Sequence, residues 1–129
     1  MGSEVEMILM KQVASYLAMP IFLVDTEGTL IFYNEPAELL LGRRYDETGE
    51  MPMQEWGTVF VPTDAADNVL APEELPLALA LRQRRPAHGR FFIKALDGLR
   101  HDLSVTAFPL IGQNARELGA VALFWEESS

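Results

Sequence analysis

The chain has 129 residues, of which 49% are hydrophobic, and a formal net charge of −9. This length and composition predict one domain with a packed core, and the acidic balance argues against a nucleic-acid or anionic-membrane surface, because phosphate contacts need clustered cations. The absence of cysteine excludes disulfides, thiolate metal sites, cysteine nucleophiles and photochemistry through a cysteine–flavin adduct. No apolar run is long enough to span a bilayer, and no basic region precedes an apolar one at the start, so we expect a cytoplasmic protein without a signal peptide.

The first predicted element is an amphipathic helix over residues 3–18, within a terminal segment of residues 1–18. Its apolar stripe consists of Val5, Leu9, Val13, Tyr16 and Leu17, and Ile8 and Met10 widen it. We expect an apolar surface this wide to be buried against another part of the protein or against a partner. Two compatible covers are expected, namely the domain's own sheet and the same helix of a second subunit, and the second would make the chain a homodimer.

A β-hairpin and a short helix are predicted next. Ile21–Val24 and Leu30–Tyr33 are short apolar runs on either side of a turn that contains Gly28. We expect Asp25 to bond backbone groups in this turn and Asn34 to act as the N-cap of the helix. A catalytic role for either residue would need an acid or base nearby, and the pattern shows none, so no catalytic residue is predicted.

The middle of the chain gives weaker signals. Residues 43–53 and 63–71 are polar and rich in turn formers, so both are predicted as loops. Residues 54–62 are compatible with one helical turn or with a short extended segment, and the pattern does not separate the two. A turn at 72–75 followed by a buried helix at 76–85 is predicted, because proline is tolerated in the first turn of a helix but not in its interior.

The last third of the chain is predicted as three β-strands. They cover residues 89–95, 100–109 and 118–125. The Asp97-Gly98 pair between the first two is the strongest short-range hairpin signal in the chain. The sequence therefore predicts an α+β fold in the order helix, two strands, short helices and three strands.

Several short motifs occur along this chain in a fixed order. They are residues 22–25, Gly28, residues 30–34, Leu41-Gly42, residues 74–81, Asp97-Gly98, residues 107–110 and residues 119–121. Together they resemble the PAS domain of bacterial sensor proteins, and the resemblance spans residues 16–126. We expect the domain itself to cover residues 19–126 and a tail to cover 127–129, where Trp125-Glu126-Glu127 replaces the family's usual Asp-Ile-Thr ending.

The resemblance implies a single five-stranded antiparallel sheet in the order 2-1-5-4-3, which curls around short helices and carries the terminal helix on its outer face. It also implies a non-enzymatic sensory or protein-interaction domain in signal transduction, as in two-component systems and transcription regulators. Such domains relay ligand binding, light, redox state or dimerisation to a kinase or transcriptional output module. The hollow between sheet and helices can hold a small molecule, haem or flavin in this family.

The hollow is predicted to be lined by large apolar side chains, although a one-residue slip in a strand would turn its residues to the other face. The predicted lining is Phe22, Val24, Phe32, Trp56, Phe60, Leu77, Leu81, Phe92, Val105 and Phe124. Side chains of this size favour a packed interior or a small pocket over a flavin-sized one. The alternative is a core that holds no ligand at all.

The remaining candidates for chemistry are two histidines and one acid. His88 and His101 do not form a group with metal-ligand spacing, so no metal site is predicted. His88 lies near the position of a haem-ligating histidine in some PAS relatives, but we expect both histidines at the surface. A remote alternative is a small enzyme in which Asp102 acts in an apolar cleft through a raised pKa. The alternation of its strand instead puts Asp102 on the more polar face.

Overall fold

The computed structural model describes residues 2–42, 44–94 and 98–127. Its helices and strands, in chain order, are α1 (Gly2–Tyr16), β1 (Ile21–Val24), β2 (Leu30–Tyr33), α2 (Glu35–Leu41), α3 (Tyr45–Thr48), α4 (Met53–Val59), α5 (Pro76–Gln83), β3 (Ala87–Lys94), β4 (Arg100–Ile111) and β5 (Glu117–Glu126). Within the described ranges, no helix has the length and apolarity needed to cross a bilayer. The predicted turn residue Asp97 and the tail residues Ser128 and Ser129 lie outside these ranges.

The five strands form one antiparallel sheet in the order β2-β1-β5-β4-β3. This order confirms the fold that the resemblance implied. The last strand of the chain therefore lies at the centre of the sheet, between β1 and β4, and its residues from Leu118 to Ala122 are all buried. A nearly continuous apolar run is what a strand covered on both faces requires.

The two faces of the sheet belong to two separate apolar clusters. The inner face packs against α2, α4 and α5 and contributes Phe22, Phe91, Leu103, Val105 and Phe124 to the larger cluster. The outer face packs against α1. Because side chains alternate along a strand, β1, β2, β4 and β5 each supply both clusters, whereas β3 supplies only the inner one.

Helix α3 lies in a segment that the sequence predicts as a loop, and α4 resolves the segment that the sequence leaves open. Helix α3 is a single turn held by side chains rather than by an apolar stripe. The Arg44 N–H donates to Glu47 Oε1 at 3.1 Å, and the Tyr45 N–H donates to Glu38 Oε2 at 2.8 Å. Periodicity cannot detect a turn that polar contacts hold.

Helix α1 lies on the outer face, but not through the stripe that the sequence predicts. Met7, Met10 and Ala14 are the residues that pack on the sheet. The predicted stripe is exposed instead: Val5 58%, Leu9 53%, Val13 51%, Tyr16 86% and Leu17 41%. The expectation that this stripe packs on the domain's own sheet is therefore wrong for these five residues. Of the two residues that widen the stripe, Met10 packs on the sheet and Ile8 is 57% exposed. Polar contacts at both ends of the helix set its rotation, namely the pair between Glu6 and Arg116 and the hydrogen bond from Asn34 to the Ala14 carbonyl.

Candidate ligand cavity

A small cavity lies between the inner face of the sheet and the helices. Its volume is about 40 Å³. Its lining contains only apolar side chains: Phe22, Leu40, Leu41, Trp56, Phe60, Pro62, Leu75, Pro76, Leu77, Phe91, Ile93, Leu103, Val105 and Phe124. A void of this size has room for a water molecule or a similarly small apolar molecule, and the absence of polar partners in its lining disfavours water.

Most of the predicted lining residues surround this cavity. Six of them line it, namely Phe22, Trp56, Phe60, Leu77, Val105 and Phe124. Val24 is buried in the same apolar cluster without reaching the cavity, and Leu81 packs against that cluster while partly exposed. The assignment of these residues to a ligand site stays a prediction.

Phe32 and Phe92 lie on the opposite face of the sheet, so their assignment to the cavity is wrong. Phe32 packs in the outer cluster beneath α1. Phe92 is half-buried, and the Arg100 guanidinium carbon lies 4.1 Å from the centre of its ring. Phe91 takes the inner position on β3 instead. Residues 90–94 carried a usable signal, because the charged Arg90 and Lys94 share the parity of Phe92 rather than that of Phe91.

Four aromatic side chains meet at one side of the cavity. The Phe22 ring centre lies 5.4 Å from that of Tyr33, 6.4 Å from that of Phe60 and 5.0 Å from that of Phe124. Contacts at these distances stabilise the packing beyond the burial of area alone. The fold therefore gives the cavity a wall that contains the rings of Phe22, Phe60 and Phe124, while Tyr33 packs against Phe22 without lining the cavity.

Trp56 fixes helix α4 to the hairpin turn. Its indole Nε1–H donates to the backbone oxygen of Gly28 at 2.8 Å, and this bond is buried. Asp25 holds the same turn, as predicted, because its Oδ1 accepts from the N–H groups of Glu27 at 2.9 Å and Thr29 at 3.0 Å. The cavity wall formed by α4 is thus tied to β1 and β2 by hydrogen bonds as well as by packing.

Arg90 of β3 and Asp102 of β4 share the parity of Phe92 and so lie on the outer face, away from the cavity. Arg90 forms a bidentate pair with Asp102, with nitrogen–oxygen distances of 3.0 and 2.8 Å. Hydrogen bonding to Arg90 lowers the pKa of Asp102 below its ordinary value. An acid catalyst at neutral pH needs a raised pKa, so this arrangement gives no support to the enzyme alternative built on Asp102.

Neither histidine lines the cavity. The Nδ1 atom of His88 lies 3.0 Å from Thr106 Oγ1 at the surface. His101, which we expected at the surface, is largely buried. Its Nδ1 lies 3.0 Å from Glu126 Oε2, and its Nε2 has no hydrogen-bond partner among the described residues. Within residues 2–42, 44–94 and 98–127, no group of three or more acids and histidines is arranged to hold a metal ion.

Haem and flavin do not fit this cavity. Sites for cofactor-sized molecules have volumes of about 300–1,000 Å³ and a few polar groups that fix the ligand. This cavity is about 40 Å³ and its lining is entirely apolar. A ligand of its size and chemistry would be held by burial and dispersion alone.

Comparison with known proteins gives one kind of match. No protein-family model and no curated protein matches the sequence. Among solved structures, the PAS domain of a protein from Colwellia psychrerythraea has a TM-score of 0.66 at 16% identity and covers 95% of this chain and 97% of that one. The PAS domain of nitrogen regulation protein NR(II) from Vibrio parahaemolyticus has a TM-score of 0.64 at 16% identity, over 92% of this chain and 98% of that one.

A third structure matches more closely in shape but over less of its own length. The LOV protein of Rhodobacter sphaeroides has a TM-score of 0.72 at 13% identity, and covers 96% of this chain and 68% of that one. Structural similarity at sequence identities this low indicates a shared fold but not a shared function. Strand order, helix placement and these structural matches agree, and the chain therefore has the PAS fold.

Proposed function

We propose that this chain is a non-enzymatic sensory and interaction domain of a signalling protein, working as a homodimer through helix α1. The observation that carries the proposal is the exposed apolar stripe of α1 on a PAS-fold domain. Val5, Leu9 and Val13 are more than half exposed, although the same helix already buries another face on the sheet. A helix with apolar residues on both sides has two surfaces to cover.

A second copy of this chain is the occupant we propose for that stripe. In a two-fold dimer the same stripe serves both partners, so each apolar residue meets another apolar residue. The side chains of α1 that dock on the sheet stay in place, and the exposed stripe becomes the interface. Tyr16, which is 86% exposed, adds a large ring near one end of it.

The signal we propose is a small apolar molecule in the cavity. The supporting observation is an apolar lining, in which the indole N–H of Trp56 already donates to Gly28, and such a lining selects by size and polarity. A cofactor sensor with haem or flavin is the alternative, but it requires the cavity to open several-fold. The output we propose is a kinase or transcriptional module, and the place of action is the cytoplasm.

Val13→Glu tests the dimer. A glutamate at the centre of a dry helix–helix interface leaves a charge buried without a partner, which costs about 3–5 kcal/mol. We expect the dimer dissociation constant, measured by sedimentation equilibrium, to rise by at least about a hundredfold. Val13 is 51% exposed in the monomer, so the fold itself is expected to tolerate the change.

Val69→Glu is the matched control, because it makes the same substitution at an exposed valine in a loop. Val69 is 71% exposed and lies outside α1. We expect it to leave the dimer unchanged. A wild-type chain that stays monomeric at high concentration, or equal effects of the two variants, would remove α1 as the interface.

A further inference from the structure

One buried asparagine joins the helix on the outer face to a helix at the cavity. We propose that Asn34 is the coupling residue through which a change at the cavity wall reaches helix α1. The proposal rests on the sensory function proposed above for its biological meaning, but the coupling is a property of the fold and is tested without a ligand. It assigns to Asn34 a role beyond that of an N-cap.

The side-chain amide of Asn34 makes four hydrogen bonds, one each to α1, β1, α2 and the connection between α1 and β1. Its Oδ1 accepts from the N–H of Ile21 at 3.0 Å and from that of Ala37 at 3.2 Å. Its Nδ2 donates to the backbone oxygens of Ala14 and Met19, both at 2.9 Å. Asn34 is 1% exposed, so each of these bonds replaces one to water. The start of β1, the first turn of α2 and the end of α1 therefore share one side chain.

The element on the cavity side is α2. Leu40 and Leu41 of α2 line the cavity, and Ala37, which Asn34 caps, is fully buried one turn earlier. A molecule that enlarged the cavity at Leu40 would displace α2 as a unit, because seven residues form fewer than two full turns. The cap bond between Asn34 and Ala37 lies at the start of that unit.

Helix α1, on the outer face, depends on its contacts with the rest of the domain to stay helical. An isolated helix of 15 residues is marginal in water, so α1 owes its order to its contacts with the domain. Polar contacts hold both ends: Glu6 pairs with Arg116 at 3.0 Å and accepts from the Gln113 N–H at 3.3 Å, and Asn34 holds the carbonyl of Ala14 at the other end. Weakening the bonds of Asn34 therefore favours undocking of α1 from its C-terminal end.

The chemistry of the amide allows the two functions of Asn34 to be separated. Asn34→Asp keeps an acceptor for Ile21 and Ala37 but replaces the two donors with a carboxylate oxygen that faces the carbonyl oxygens of Ala14 and Met19. The cap is kept and the link to α1 becomes repulsive. Asn34→Ser is the uncharged counterpart, because serine is a good N-cap but is too short to reach α1.

The experiment is native-state hydrogen exchange of the α1 amides. All variants are made in the Val13→Glu background, so that the outcome does not depend on whether the chain dimerises. We expect Asn34→Asp to speed exchange in α1 by about tenfold or more, from two lost hydrogen bonds, while β4 amides keep their protection. Asn68→Asp, the same change at an exposed asparagine in a loop, is the control and is expected to leave α1 unchanged.

Coupling itself is measured by adding a change at the cavity wall. Leu40→Ala is expected to speed exchange in α1 when Asn34 is present, and to add little in the Asn34→Asp background. Equal effects of Leu40→Ala in both backgrounds, or α1 exchange that Asn34→Asp leaves unchanged, would overturn the proposal. If Asn34→Asp does not fold, the same comparison with Asn34→Ser decides.

Discussion

Phe91→Ala is expected to lower the free energy of unfolding by about 3–5 kcal/mol, a large share of the total stability of a domain of this size. Phe91 is 6% exposed, lies on the inner face of β3 and forms part of the cavity wall. Removing the ring would enlarge an existing void, and the surrounding side chains could not collapse to fill it. We therefore expect the loss of unfolding free energy to lie near the upper end of this range. Urea unfolding followed by circular dichroism measures it.

The neighbouring phenylalanine provides the control. Phe92→Ala removes a half-buried ring on the outer face and its contact with Arg100, worth about 0.5–1 kcal/mol at an exposed site. We expect a total loss of about 1–2 kcal/mol, below the range for a buried phenylalanine. A larger loss at Phe92 than at Phe91 would mean that the faces of β3 are reversed, and the cavity described here would then have a different lining.

Gly119→Ala is expected to cost roughly 3–5 kcal/mol, because it combines backbone strain with a steric clash. Gly119 has φ of +140°, and a Cβ atom there would overlap the backbone oxygen of Val24 and lie 3.0 Å from the Cα of Asp25. These neighbours are backbone atoms at the end of β1 and cannot rotate away. The substitution would therefore force β1 and β5 apart at the centre of the sheet.

Gly98→Ala separates the cost of backbone strain from the cost of the steric clash. Gly98 also has positive φ, +88°, but no described atom lies within 4 Å of the position its Cβ would take. Only the conformational cost of about 1–2 kcal/mol is expected there. Equal unfolding free energies for Gly98→Ala and Gly119→Ala would show that the close approach of β1 to β5 does not limit the residue at 119.

The sequence predicted the elements whose signals are local. The runs at 21–24 and 30–33 became β1 and β2 with their bounds unchanged, and the proline rule placed the start of α5 at Pro76. Asn34 sits at the predicted N-cap. In each case the local structure depends on one or two residues, which have either a restricted backbone conformation or a side chain that hydrogen-bonds to the backbone. The strand order came from the resemblance and not from the residues alone.

The rotation of α1 could not be predicted in this way. The helix carries apolar residues on two sides, so periodicity indicates a stripe but not which one docks. Contacts distant in sequence decide it, namely the pair between Glu6 and Arg116 and the hydrogen bond from Asn34 to Ala14. The inner face of β3 was predictable in principle, since Arg90 and Lys94 mark its outer face, but two adjacent phenylalanines concealed the alternation.

Xenon is the probe that tests the cavity most directly, because it enters dry apolar cavities and forms no hydrogen bonds. The measurement is a series of amide and methyl NMR spectra of the ¹⁵N,¹³C-labelled chain under increasing xenon pressure. We expect saturable shifts centred on Phe91, Leu103, Val105 and Phe124, with Phe92 and the outer face of β3 unaffected. Shifts that stay linear with pressure, or that centre on the outer face, would contradict a ligand cavity between the sheet and its helices.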